Sequence, residues 1–274
     1  MDILYMPTLH HRYLVKTLTN PQPPGFADFL RGSIALAQLC SMHSYDFKFD
    51  INSHPVFNVL HIPEEYTSRL DKGEPTLEIL PPIPYDSMKS IISSHLNGKS
   101  DINILTNAFY DESSVETQYQ LIRIILQPSE DLKTHIDYIK NSTNIDYTKP
   151  YVIIHIRLGD RYLVDKNDIP SNIIQNVRCH VQRIVQQHSQ VLLLADSFKL
   201  KEQVKDLCQA TITAPIHTGS LDVEGVEHRM LTTVGEFFIM SKASQIYCLN
   251  FYDGSGYSRI CSKIYSIPYH CISL

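Results

Sequence analysis

The stretch that most limits the fold is Tyr151-Val152-Ile153-Ile154-His155-Ile156-Arg157-Leu158-Gly159-Asp160-Arg161. It opens as a continuous apolar run, without the alternation that a strand with one wet face would show. It therefore predicts a strand buried on both faces, the kind found in parallel α/β sheets. The run then breaks into an imidazole, two guanidinium groups and a carboxylate. In open α/β sheets ligands bind just beyond the carboxyl ends of the strands. Charged groups delivered to that edge predict a site for an anionic ligand, a phosphate ester first.

The rest of the chain must supply the sheet, and it is long enough to do so. Its 274 residues suggest one large domain or two of ordinary size. With 43% hydrophobic and 19% charged residues, a sizeable core is available and wholesale disorder is excluded. A formal net charge of -5 argues against a nucleic-acid binder, which would carry a basic face. A local positive pocket for a nucleotide is compatible with it. No apolar run approaches the roughly 18 to 20 residues of a membrane span. Met1 to His11 lacks the basic start and apolar middle of a signal peptide. A soluble, cytoplasmic chain is the expectation. Cys40, Cys179, Cys208, Cys248, Cys261 and Cys271 form no Cys-x-x-Cys pair and read as buried free thiols.

Along the chain, Ile3 to Met6 reads as a first strand, and Pro21-Gln22-Pro23-Pro24-Gly25 as a rigid loop. A helix follows, with Asp28 placed to cap it and Phe29, Leu30, Ser33, Ile34, Leu36, Ala37 and Cys40 on or beside one stripe. Strands are expected at Tyr45 to Ile51, Thr76 to Leu80 and Asp101 to Leu105. Helices are expected at Ser87 to Leu96, Ser113 to Leu126 and Asp131 to Lys140. Thr148-Lys149-Pro150 punctuates the chain, which sets domains at 1–148 and 149–274. Beyond it, strands at 151–157, Val191 to Ala195, Thr211 to Thr213 and Gln245 to Leu249 alternate with helices. Those helices are Ser171 to Gln187, Phe198 to Cys208, Leu231 to Ser241 and one running to Tyr265. Such alternation predicts a Rossmann-like parallel sheet.

Two strand ends, 155–160 and Asp196-Ser197, would open on one sheet edge with the turn Asp253-Gly254-Ser255-Gly256-Tyr257-Ser258. Gly254 and Gly256 let backbone approach a ligand, and the helix they begin offers amides to a phosphate. Arg157 can hold two phosphate oxygens through its planar fork. No dinucleotide-binding glycine fingerprint, Walker loop or nucleophile elbow is present, so those enzyme classes lose ground. The histidines show no ligand rhythm, and no Asp-x-Asp pair marks a metal site.

His155-Ile156-Arg157-Leu158-Gly159-Asp160 resembles the His-x-Arg-x-x-Asp motif of the fucosyltransferase superfamily, the α1,2, α1,6 and protein O-fucosyltransferases. The resemblance extends through Leu192 to Asp196, Glu236 to Ala243 and Gly254 to Ser258. Gly25-Phe26-Ala27-Asp28-Phe29-Leu30, with Arg31 next, resembles the N-terminal glycine loop of the α1,2 enzymes, with Asp28 in place of their asparagine. It implies an α/β, GT-B-like fold: two Rossmann-like domains with parallel sheets facing across a cleft, acceptor side first, donor side second. It implies metal-independent inversion with no cofactor, moving a sugar from a nucleotide-diphosphate sugar, GDP-fucose first, to a glycan acceptor. Arg157 would hold the β-phosphate, His155 and Asp196 the nucleoside, with Ser197 beside them, and Ser255 to Ser258 the phosphates. The short form resembles a bacterial or viral enzyme, in the latter case acting in host cytoplasm. The base is open among Asp160, Asp165, Asp168 and Asp28, and Asp160 serves equally as orienter of Arg157. UDP-xylose or a rhamnose donor stays open, as does a non-catalytic nucleotide- or glycan-binding module.

Overall fold

A strand that is apolar on both faces needs cover on both faces, and the computed structural model supplies such sheets twice. It describes residues 6–13, 25–71, 73–96, 101–159, 162, 167–211, 218, 225–251 and 255–274. The chain divides between Gln127 and Pro128 into two compact units. The punctuation at Thr148 to Pro150 lies about twenty residues further on. Helix α4 (Glu130–Asn141), expected with the N-terminal half, packs on α7 (Val226–Met240) of the second unit instead.

In the first unit, β1 (Thr8–His11), β2 (Asp46–Asp50), β4 (Thr67–Ser68), β5 (Leu77–Ile79) and β6 (Asp101–Thr106) form one sheet of order β4-β2-β1-β6-β5. Every pairing in it is parallel. Its helices are α1 (Phe26–His43), α2 (Tyr85–Leu96) and α3 (Glu116–Ile125), and the two-residue strands β3 (Leu60–His61) and β7 (Gln127–Pro128) lie outside the sheet. The expected first strand falls largely outside the described residues, and β1 begins two residues after it.

Helix α1 departs from expectation in two ways. Its N-cap is Gly25, which has no side chain to cap with, and Asp28 sits inside the first turn, ion-paired to Arg31 at 3.0 Å. There the carboxylate complements the positive helix end without accepting a cap bond. Nor is the buried surface a single stripe, because Gly32, Ala35, Gln38 and Leu39 are buried as well. Gly32 explains the close approach. A Cβ built there would lie 2.0 Å from the carbonyl oxygen of Thr106 at the end of β6. The helix can touch that strand end only because this position has no side chain.

In the second unit, β8 (Val152–Arg157), β9 (Val191–Ala195), β10 (Gln209–Ala210), β11 (Gln245–Asn250) and β12 (Tyr269–Ser273) form a sheet of order β10-β9-β8-β11-β12. It too is parallel throughout. The helices α5 (Ser171–Val185), α6 (Phe198–Val204), α7 (Val226–Met240) and α8 (Gly256–Tyr265) complete the unit with α4. Val152, Ile154 and Ile156 join Val177, Val181, Ile184 and Leu193 in one core. Each such aliphatic side chain contributes roughly 1.5–3 kcal/mol by leaving water. Period two then turns Ile153, His155 and Arg157 to the other face of the sheet.

Helix α6 ends at Val204, short of Cys208, and the strand expected at Thr211 is observed at Gln209–Ala210. Residues Ile212 and Thr213 are outside the described set. Helix α7 starts five residues before Leu231, led by Gly225. Cys40, Cys248 and Cys261 are buried, whereas Cys179 on α5 and Cys271 on the edge strand β12 are exposed. No helix among the described residues is long and apolar enough to cross a membrane.

Gly32→Ala should lower the urea-unfolding stability by about 1–3 kcal/mol, the usual cost of overpacking. Within a helix that is free of steric conflict, the same change stabilises by about 1 kcal/mol. A midpoint that rises would show that α1 does not depend on this contact.

Candidate active site

The carboxyl edge of the second sheet is where parallel topology brings chemistry together. In register, Ile156 of β8 faces Ala195 of β9 and Cys248 of β11 faces His155. Arg157 and Asp196 therefore leave their strands side by side. Arg157 Nη1 donates to Asp196 Oδ2 at 2.5 Å, and the backbone N–H of Leu158 approaches Asp196 Oδ1 at 3.5 Å. The pair is asymmetric: 23% of the arginine side chain is exposed, against 9% of the aspartate. Burial lifts the Asp196 carboxyl above its ordinary pKa, while the Arg157 guanidinium pulls it back. After Leu158 the chain turns through Gly159 at φ 92°, a conformation that favours glycine. Asp160 and Asp165, the base candidates beyond that turn, lie outside the described residues.

His155 is buried, and its Nδ1 lies 3.0 Å from Ser258 Oγ in the first turn of α8. Burial, then the positive charges of Arg157 and Lys201, push its pKa down to about 3, so the imidazole is neutral at pH 7. Tyr257 packs its ring 5.5 Å from both His155 and Phe237, and its hydroxyl donates to the Thr233 carbonyl. These contacts fix α8 against α7 and β8. The α8 N-cap, Ser255, is buried and makes no side-chain cap bond, and Gly256 is exposed. The first-turn amides of α8 thus meet the site uncapped by a side chain, with the positive end of the helix dipole. Gly254 is outside the described residues.

Ser197 is buried and accepts from the Leu200 N–H at 3.1 Å, which makes it the N-cap of α6. Asp168 is 95% exposed and ion-paired to Lys199 at 2.7 Å, which holds its carboxyl below the ordinary value. A general base works best with a pKa near the operating pH, so this environment is poorly suited to that role. Gly25, Phe26, Asp28 and Arg31 belong to the first unit, at the start of α1. Arg31 bridges Asp28 and the Asn107 carbonyl, with its guanidinium 4.8 Å from the exposed ring of Phe109.

One part of the second unit's polar cluster gives little sign in the sequence. Lys201 is 1% exposed, and its Nζ donates to Glu236 Oε1 at 3.0 Å and Thr211 Oγ1 at 2.6 Å. Thr211 in turn donates to Glu236. A lysine within Phe198-Lys199-Leu200-Lys201-Glu202 reads as a solvated helix face. Only its partner, 35 residues away on α7, makes it a buried one.

Two units, each with a parallel sheet served by helices, define an α/β fold of the GT-B-like class. Several solved fucosyltransferases share it. NodZ α-1,6-fucosyltransferase soaked with GDP-fucose matches at TM-score 0.56 and 13% identity, over 94% of this chain and 92% of that one. NodZ from Bradyrhizobium matches at 0.57 and 14%, over 93% and 92%. An Arabidopsis thaliana FUT1 mutant in complex with GDP matches at 0.62 and 10%, over 97% and 70%. No protein-family profile and no curated protein matches the sequence. At such low identity the likeness establishes the fold.

The neutral state of His155 carries a pH signature. The imidazole is depressed in the folded state, so the unfolded chain binds the extra proton between pH 6.5 and about 3. The stabilisation is fully present above pH 6.5 and is lost as pH falls through that window. The loss approaches about 1.4 kcal/mol per pH unit for each such group. His11, buried in the first unit, is lowered to about 3 as well. Urea midpoints at pH 7.5 and 5.0 should therefore fall on acidification, and His155→Asn should flatten the slope for the second unit. An unchanged slope would mean that the imidazole is not held neutral.

Proposed function

We propose that this chain is a glycosyltransferase that takes a sugar from a nucleotide-diphosphate donor, GDP-fucose first, and passes it with inversion to a glycan. The observation that carries the reading is the meeting of Arg157, Asp196 and the α8 N-terminus on one carboxyl edge of a parallel sheet. The solved structures with this fold support it too, since one is of an enzyme soaked with GDP-fucose and another is of one in complex with GDP.

In this reading the acceptor hydroxyl attacks the anomeric carbon as the bond to the diphosphate oxygen breaks. The leaving oxygen keeps the electron pair. Arg157 lies at that oxygen and neutralises the growing charge, which lowers the barrier only where charge develops. The amides of Gly256 to Ser258 take the remaining phosphate charge. Asp196 sets the plane of the guanidinium, and His155 holds α8 in place through Ser258. The chemistry requires no metal or cofactor, and a carboxylate, Asp160 or Asp28, receives the hydroxyl proton.

A thermal-shift panel of GDP, UDP and their sugars, run with and without EDTA, tests the donor. GDP at a hundred times its Kd should stabilise by about 2.7 kcal/mol, and EDTA should change nothing. Stabilisation by a uridine nucleotide alone would move the donor to UDP-xylose or another sugar, and no response would end the transferase reading. A GDP response without turnover on any glycan would favour a binding module. Arg157→Ala strands the buried Asp196, a change that typically costs about 3–5 kcal/mol of stability. Arg157→Lys is the cleaner variant, because it keeps the charge but loses the fork. It should weaken GDP about tenfold or more.

The base is assigned by comparing Asp160→Asn with Asp28→Asn. The true base should lose about 10²–10⁴ in kcat with little change in KM for donor. Equal, small effects at both would exclude each of them.

A further inference from the structure

A concavity lies on the carboxyl edge of the first unit's sheet, where the chain leaves β2 and β4. It encloses about 280 Å³ and is lined by Asn52, Phe57, Asn58, His61, Thr67 and Arg69 among others. Its walls are built. Fully buried Asp50 accepts from the backbone N–H groups of Asn52 at 3.2 Å and Leu70 at 3.1 Å, so one carboxylate ties both loops together. Asn52 Nδ2 donates to the Leu70 carbonyl at 3.3 Å, and the Ile51 N–H to Ser68 at 3.0 Å.

The lining is one-sided in charge. No acidic side chain is among its described lining residues, while Arg69 and His61 are both there and both exposed. Neither side chain makes a hydrogen bond or ion pair with another described residue. Of the carboxylates close in sequence, Asp50 is committed to Arg12 and Glu74 to Asn103, and Asp71 does not line the pocket. Glu64 and Glu65, between the lining residues Ile62 and Thr67, do not line it themselves. In a chain of net charge -5, an unpartnered guanidinium on a concave, pre-built wall is a place for an anion. The volume sits just under the roughly 300–1,000 Å³ of drug-sized ligand sites, enough for one sugar ring and too small for a nucleotide sugar. Phe57 offers that ring an apolar surface, and the two asparagines offer hydrogen bonds to its hydroxyl groups.

We propose that this pocket binds one acidic sugar residue of the acceptor, a monosaccharide unit whose carboxylate or other compact oxyanion is gripped by Arg69. The proposal rests on the transferase reading, because it gives the first unit the acceptor. The test titrates the full chain with methyl β-glucuronide, methyl β-glucoside and sodium sulfate, following the amide resonances of Asn52, Asn58 and Thr67. The glucuronide should act at a concentration about tenfold or more below the glucoside, as befits one charge-assisted contact. Arg69→Gln should erase that difference. The variant changes an exposed, unpaired side chain, so its spectrum away from the pocket should superimpose on that of the original chain. Equal action of the two glycosides, a glucuronide response that survives in Arg69→Gln, or sulfate reproducing the full glucuronide response would each overturn the proposal. GDP binding, measured separately, keeps the two readings apart. A chain that binds GDP and ignores the glucuronide sinks this inference alone. A chain that binds the glucuronide but no nucleotide sinks the donor reading and leaves the acidic-sugar site standing.

Discussion

The ion pair between Arg157 and Asp196 is what the second unit is arranged around. Neither residue comes near the other in sequence, and 39 positions separate them. The parallel register of β8 and β9 brings them together, and that register follows from two apolar runs that need the same central place in a sheet. Beneath the pair the buried charges cancel. Lys201 is matched by Glu236, and His155 is neutral. Above it lie the more exposed half of the pair, which is the arginine, and the positive end of α8. Among the described residues the interior is thus neutral and the rim positive. The solvent-facing guanidinium is already oriented by Asp196.

Much of that was legible, for physical reasons that differ by element. Strands β8, β9 and β11 stand out because burial on both faces leaves uninterrupted apolar runs. Strand β12 does not, because an edge strand with exposed His270 and Cys271 needs no such run. Strand β1 was obscured for the opposite reason. It is central in its sheet, yet His10 and His11 make half of it polar, and His11 is buried only because Ser33 and the Thr106 carbonyl meet its ring. Lys201 and the end of the first unit belong to the same class. Each depends on a partner far along the chain, Glu236 for the lysine and α7 for α4, and local pattern carries no record of such partners.

Asp28 shows how a local rule can be outweighed nearby. It has the chemistry of an N-cap, yet the helix begins two residues earlier, at Phe26. Phe26 is buried, so burial sets the start and leaves the carboxylate in the first turn. There it pairs with Arg31, and both remain partly exposed. The residue expected to cap the helix thereby keeps a partly exposed carboxylate instead.

The two units repeat one device, and the difference between the copies is instructive. In each, a histidine near a strand's carboxyl end turns Nδ1 to a serine hydroxyl on a helix, at 3.0 Å: His11 to Ser33 and His155 to Ser258. In each, an arginine just beyond pairs with an aspartate from the adjacent parallel strand: Arg12 with Asp50 and Arg157 with Asp196. In the first unit the arginine is almost wholly buried, at 4% side-chain exposure. Thr76 and the carbonyls of Glu74 and Asp71 also hold it. That pair locks loops together, and no ligand can reach its charge. In the second unit the arginine reaches solvent at 23%. The same residues on the same kind of adjacent parallel strand pair make a buried staple in one sheet and leave a solvent-reaching guanidinium in the other, and exposure separates the two. This also explains why a strand ending in charges could not by itself reveal its role: the sequence holds the charges, but the cover over them comes from residues 59 to 64 positions away.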